Sequence, residues 1–118
     1  MDHECTVYKT VDYLAKKWTL MILLELYKGK EWKRFTEIKN SMKEITPKML
    51  SERLAELEME GLVENRIDAS SFPVRSEYRL TGPGTELITV IHDLKKWALK
   101  NKIVNSTCAN QDCKICIL

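Results

Sequence analysis

A chain of 118 residues carrying 19 basic and 17 acidic side chains, net charge +2, is sized for one domain with a real core and needs no disulfide staples. So small a charge excess excludes a polycation that binds nucleic acid by composition alone, and the distribution along the chain must carry any such function. That distribution is uneven: eight basic residues face four acidic ones between Lys28 and Arg53, whereas five acidic residues face one basic residue from Ala55 to Asp68.

The amino terminus, MDHECTVYKT, lacks the basic region and apolar run of a signal peptide. The longest apolar stretch, Trp18 to Tyr27, is too short to span a bilayer, and the final ICIL contains no prenylation box. A cytosolic protein without a membrane partner is expected. Val7, Val11, Leu14 and Trp18 recur at helical spacing and predict a first helix from about Cys5 to Lys16. WTLMILLELY is apolar almost all round, the pattern of a central core helix, with Gly29 as its terminator. Lys30 to Arg34 predicts a short strand whose charges, Lys33 and Arg34, are wet or touch a phosphate backbone. A short helix follows from Phe35, capped by Thr36 and carrying Ile38 and Met42, and the turn Lys43-Glu44-Ile45 closes it.

The run ITPKMLSERLAELEMEGL then combines a start, an amphipathic body and a stop. Thr46 is suited to cap, Pro47 takes the first helical position, and Leu50, Leu54 and Leu57 share one face. Gly61 lies just past the end, where a positive φ is needed. The other face begins with Lys48, Met49, Ser51, Glu52 and Arg53 at the electropositive end of the helix, which suits a phosphate or a base edge. The two helices and their tight connection form a helix-turn-helix pattern. LVENRID and SEYRL alternate as two antiparallel strands joined by ASSFPVR, a hairpin wing with Pro73 and Arg75 near its tip. Thr81 caps again, Gly82, Pro83 and Gly84 form a corner, and Leu87, Ile88, Ile91, Leu94, Trp97 and Ala98 give the last helix an apolar face wider than one subunit's core uses. The fold class is therefore mostly α with a small β-hairpin, a winged helix-turn-helix with flanking helices, over residues 1–101. Residues 102–118 form a tail without periodicity.

Cys5, KWTLMILLEL, RFTEI, ITPKMLSERLAELEMEGLV, FPVRSEYRLT and the later Gly84, in that order and spacing, resemble the HxlR family of bacterial and archaeal transcription regulators, relatives of the MarR group. The resemblance covers about Cys5 to Ala98. It departs at Gly82 and Pro83, where helix-favouring residues are more usual, and in the cysteine-bearing tail. It implies a homodimeric winged-helix repressor or activator on double-stranded DNA, seated on a palindromic operator. On that reading Thr46, Lys48 and Arg34 hold phosphate, Met49, Ser51 and Glu52 reach base edges in the major groove, Arg53 does either, and Arg75 enters the minor groove. The bland alternatives are a solvated helix face, a structural cap and an exposed turn arginine. Two-fold symmetry implies a dimer built from the first and last helices, with Val7, Val11, Leu14, Leu87, Ile91 and Leu94 at the interface.

Cys108, Cys113 and Cys116 fall as C-x4-C-x2-C, leaving Cys5 apart. In a reducing cytosol the options are a thiol switch, inert thiols or a metal site, zinc or an iron–sulfur centre, with Cys5 as a fourth ligand. Family members with a cysteine at the Cys5 position include thiol-based sensors, an analogy only. Trp18, Trp32 and Trp97 are expected to fill core or interface rather than line a ligand pocket. The sequence holds no glycine-rich phosphate loop, nucleophile motif or HExxH-like metal motif, so an enzyme is the poorest reading. The serious competitor is a winged-helix protein-interaction module within a transcription complex.

Overall fold

The computed structural model describes residues 3–70 and 72–101; Cys108, Cys113 and Cys116 lie outside the described residues. The elements run α1 (Thr6–Leu14), α2 (Thr19–Tyr27), β1 (Lys33–Arg34), α3 (Phe35–Ser41), α4 (Pro47–Met59), β2 (Val63–Asp68), β3 (Arg75–Leu80) and α5 (Gly82–Asn101). This is the winged helix-turn-helix expected from the sequence.

α2 is the centre of the core: Ile22 and Leu23 are wholly buried and Leu26 nearly so. Its entry is a tight connection in which Trp18 adopts φ 84°, a left-handed conformation that costs a non-glycine residue about 1–2 kcal/mol. Packing of the half-buried indole against the core holds it there. At the other end Gly29 takes φ 64°. The last carbonyls of a helix lack intrahelical donors, and here the Lys33 ammonium donates to the carbonyl oxygen of Glu25. Lys33 is therefore buried, not a wet strand-end charge, and that burial holds its pKa below the ordinary lysine value against the pull of Glu25.

The short strand spans only Lys33 and Arg34, and α3 starts directly after it, two residues earlier than a Thr36 cap would allow. The cap position is Arg34, whose backbone N–H donates to the Glu37 carboxylate at 3.0 Å; Glu37 also pairs with Lys30 at 2.7 Å. The Lys30 bond first and the Arg34 N–H second hold the Glu37 pKa below its usual value. A carboxylate depressed in this way stabilises the fold above the ordinary glutamate range, and the contribution is lost as the pH falls through the folded-state pKa. Glu37→Gln is accordingly expected to lose less stability than the parent between neutrality and acid. Urea midpoints from pH 7 to pH 3 check this, and parallel curves would exclude it.

Ile45, which reads as a turn residue in the sequence, is 2 % exposed and anchors the connection between α3 and α4 in the core. Thr46 caps α4, its Oγ accepting from the Met49 N–H at 3.1 Å, and Pro47 takes the first helical position. Leu50, Leu54 and Leu57 are buried, each contributing about 1.5–3 kcal/mol of transfer free energy. Gly61 ends the run at φ 76°.

β3 lies between β1 and β2 in an antiparallel three-stranded sheet. Val63↔Leu80, Asn65↔Tyr78 and Ile67↔Ser76 share one face, which enters the core at Val63 and Leu80. On the other face Glu64↔Arg79 and Arg66↔Glu77 are paired in charge, with Arg79 to Glu64 at 3.0 Å and Arg66 to Glu77 at 2.9 Å. Both guanidiniums also lie over the Trp32 ring, at 4.1 Å for Arg66 and 4.5 Å for Arg79, and Arg79 bonds Glu31 as well. Trp32 thus fastens the α2–α3 connection to the hairpin and does not fill the core.

Gly82, Pro83 and Gly84 are not a separate corner but the first turn of α5, where a proline costs no hydrogen bond. Thr81 makes the joint: its N–H donates to the Leu62 carbonyl at 3.1 Å, its hydroxyl to the Gly61 carbonyl at 2.6 Å, and the Gly84 N–H donates to its Oγ at 3.1 Å. Gly84 presses so closely on Leu62 that a Cβ there would overlap the carbonyl oxygen and lie 3.1 Å from its carbon. No described helix is long and apolar enough to cross a membrane.

Candidate nucleic-acid interface

The burial of Leu50, Leu54 and Leu57 fixes which side of α4 turns outward. Thr46, Pro47, Lys48, Ser51 and Glu52 are exposed together at its N-terminal half. A helix N-terminus carries unpaired N–H groups and a partial positive charge, so this end attracts phosphate while the side chains stand free to meet base edges. The Thr46 Oγ lone pair is engaged by the Met49 N–H, which leaves the hydroxyl proton to donate outward.

Two of the sequence-nominated residues are placed differently. Met49 is half-buried against the core, with little side chain available to reach outward. Arg53 is turned inward, its side chain 15 % exposed: Nε donates to the Lys17 carbonyl at 3.2 Å and Nη1 pairs with Glu56 at 2.8 Å. Glu56 also holds Lys16 at 3.2 Å. Arg53 therefore ties α4 to the α1–α2 connection, because the i, i+3 carboxylate and a nearby carbonyl outcompete solvent for a guanidinium at that position.

Arg75 begins β3, opposite Asp68 at the end of the hairpin, and is half-buried. Hydrogen bonds from the Ser70 hydroxyl and the Ser70 backbone N–H hold the Asp68 carboxyl below its usual pKa. Arg34, half-buried on β1 opposite Glu77, carries its charge close enough to act on Asp68. Ile67, Phe72 and Val74 are 57 %, 99 % and 58 % exposed at the same tip; alternation in the sequence marks the strands but not which end outruns the core.

A second exposed surface is apolar. Val7 and Val11 on α1 stand out in solvent together with Leu94 on α5, as the sequence suggests. Leu14 and Leu87 are half-buried against the core and Ile91 is buried, and all three line the floor of the groove between α1 and α5. Val90, Trp97 and Met21 join the exposed set instead. Trp97 belongs to the periodic pattern of the sequence, while Val90 falls outside it. Between α1 and α5 runs a groove lined by Val11, Leu20, Val90 and Leu94, with almost no polar surface. Cys5, exposed, sits at the cap position of α1 beside Val7 and Tyr8. Among the described residues no group of histidine, cysteine or carboxylate side chains is arranged to hold a metal.

The family model for the HxlR-like helix-turn-helix matches residues 13–106. An HTH-type transcriptional regulator of Bacillus subtilis, YvaP, is 40 % identical over 90 residues, 76 % of this chain and 81 % of that protein. Among solved structures, the reduced form of the B. subtilis transcriptional regulator YodB is 34 % identical with a TM-score of 0.74, covering 86 % of this chain and 98 % of that one. The redox regulator HypR in its oxidized form is 31 % identical with a TM-score of 0.67, covering 85 % of this chain and all of that one.

Proposed function

Because the chain belongs to the HxlR-like helix-turn-helix family and is a transcriptional regulator of that type, we propose that it acts as a homodimer bound sequence-specifically to double-stranded DNA. α4 enters the major groove, with Thr46, Lys48 and the α4 N-terminus on phosphate and Ser51 and Glu52 at base edges. The hairpin tip brings Arg75 to the edge of the adjacent minor groove, where the flanking phosphates attract a guanidinium. The observation that carries this reading is the outward half of α4, polar and cationic at its start while three leucines lock the opposite face into the core.

The apolar face shared by α1 and α5 pairs with the same face of a second copy, a self-complementary contact of the kind two-fold dimers use. Cys5 at the end of α1 puts a thiol on that face, and the likeness to redox-responsive regulators supports oxidation as the signal that alters DNA binding. Oxidation at Cys5 would then act on subunit geometry rather than on α4 itself.

Titration of the DNA upstream of the chain's own gene at several salt concentrations, reduced and oxidised, tests the reading. Saturable binding with a steep salt slope is the expected result. Lys48→Ala is expected to weaken binding across sequences and to reduce the slope by about 0.9, one phosphate contact. Ser51→Ala or Glu52→Ala should instead relax preference at individual base pairs, by about 1–3 kcal/mol per lost base contact. Binding that ignores salt would mark a protein-contact module.

A further inference from the structure

The hairpin tip combines two kinds of group that seldom share a free loop. Ile67 lies on the face of β2 that is buried at Val63, but four residues along the strand, about 13 Å beyond it, where no core remains to cover it. Phe72 is 99 % exposed and Val74 58 %, so three apolar side chains project from one end of the sheet. The groups around them are cationic. Arg75 begins the returning strand, β3, and Arg34 stands on β1 opposite Glu77, two residues along β3, while the carboxylates among the described residues there, Asp68 and Glu77, are engaged by Ser70 and by Arg66.

A partner matching that pattern is anionic at its rims and apolar in its depth. Duplex DNA seen from the minor groove has that form: phosphates line both edges of a cleft about 6 Å wide, and stacked base faces become accessible once a step opens. A protein partner would instead meet two arginines with an apolar patch too small for a stable interface. Resting on the DNA-binding reading above, we infer that the hairpin tip is an apolar wedge, with Phe72 as its leading edge. It enters a base step of the minor groove and bends the duplex, while Arg75 and Arg34 hold the flanking phosphates. Specificity then arises at a position the protein reads through deformability: a flexible pyrimidine–purine step accepts the wedge and a stiff A-tract resists it.

The test uses the full chain and the duplex it protects upstream of its own gene, dye-labelled at both ends, with 2-aminopurine substituted in turn at adenines under the hairpin. The parent is expected to shorten the end-to-end distance by a bend of about 20° or more, and to brighten 2-aminopurine at one step. Phe72→Ser is expected to lose both signals and bind about tenfold more weakly at an unchanged salt slope, with Phe72→Leu retaining most of each. Phe72 is exposed, so an unchanged thermal melt is expected to accompany the loss. Tight binding by the parent to a straight, fully stacked duplex would overturn the wedge and leave the DNA-binding reading intact. So would a Phe72→Ser protein that binds and bends as the parent does, including one whose only change is weaker self-association in sedimentation. A parent protein that binds no duplex would remove both.

Discussion

Gly84→Ala is expected to destabilise the fold by about 2–3 kcal/mol, the usual cost of forcing volume into a closed contact. The new methyl would overlap the Leu62 carbonyl oxygen, a backbone atom that no rotamer change can move aside, and that carbonyl already accepts the Thr81 N–H. Relief requires α5 to lift from the end of the hairpin, with loss of the Thr81 bonds to Gly61, Leu62 and Gly84. Gly82→Ala is the internal control. A Cβ at Gly82 meets nothing within 4 Å, so alanine there is expected to be neutral or stabilising by about 0.5 kcal/mol through the unfolded chain. Thermal melts of the two variants separate by roughly 10 °C or more if this is right. Equal melting temperatures would show that the contact relaxes without cost.

The second large effect is expected at the apolar face. Leu94→Glu and Val11→Glu place charges on side chains that are about half exposed and make no essential core contact, so each variant is expected to fold. It should sediment as a single chain where the parent is expected to sediment as a dimer. With one recognition helix per particle instead of two, affinity for the protected duplex is expected to fall about 10²–10³-fold through lost effective concentration. Ile91→Glu is the contrast. That side chain is in the core of its own subunit, so its substitution should unfold the chain rather than dissociate it. A monomeric Leu94→Glu protein that binds DNA as tightly as the parent would separate assembly from recognition.

Much of the architecture follows from local patterns. The leucines of α4, the Thr46 and Thr81 caps, and the alternation of the two hairpin strands each need only a few neighbouring residues to be interpreted, and all hold in the structure. What escapes is decided by elements far apart in sequence. Lys33 looks like a surface charge until the end of α2 is brought over it, and Arg53 looks like a reader of DNA until Lys17 presents a carbonyl to it. Helical spacing places Ile91 and Leu94 on one apolar face, but only the packing of α2 against α5 divides that face into a buried side and an open one. Trp32 is an aromatic beside charges in the sequence, and register alone brings Arg66 and Arg79 onto it. For the interface, the cationic start of α4 is legible. Exposure of Phe72 is not, because periodicity does not report how far a hairpin outruns its core.

The Thr81 joint also decides where the length of this chain is free to change. Each residue in α5 turns the helix by about 100°, so one amino acid gained between Thr81 and Ile88 would swing Leu94 and Trp97 to a different side of the molecule and draw Ile88 and Ile91 out of the core. A deletion there does the same in the opposite sense. At the far end of the hairpin, an added pair of residues lengthens the reach of the tip and leaves every bond at the joint untouched. Descendants of this sequence can therefore experiment with insertions at the tip, while the count of residues across the first turns of α5 is held fixed by geometry.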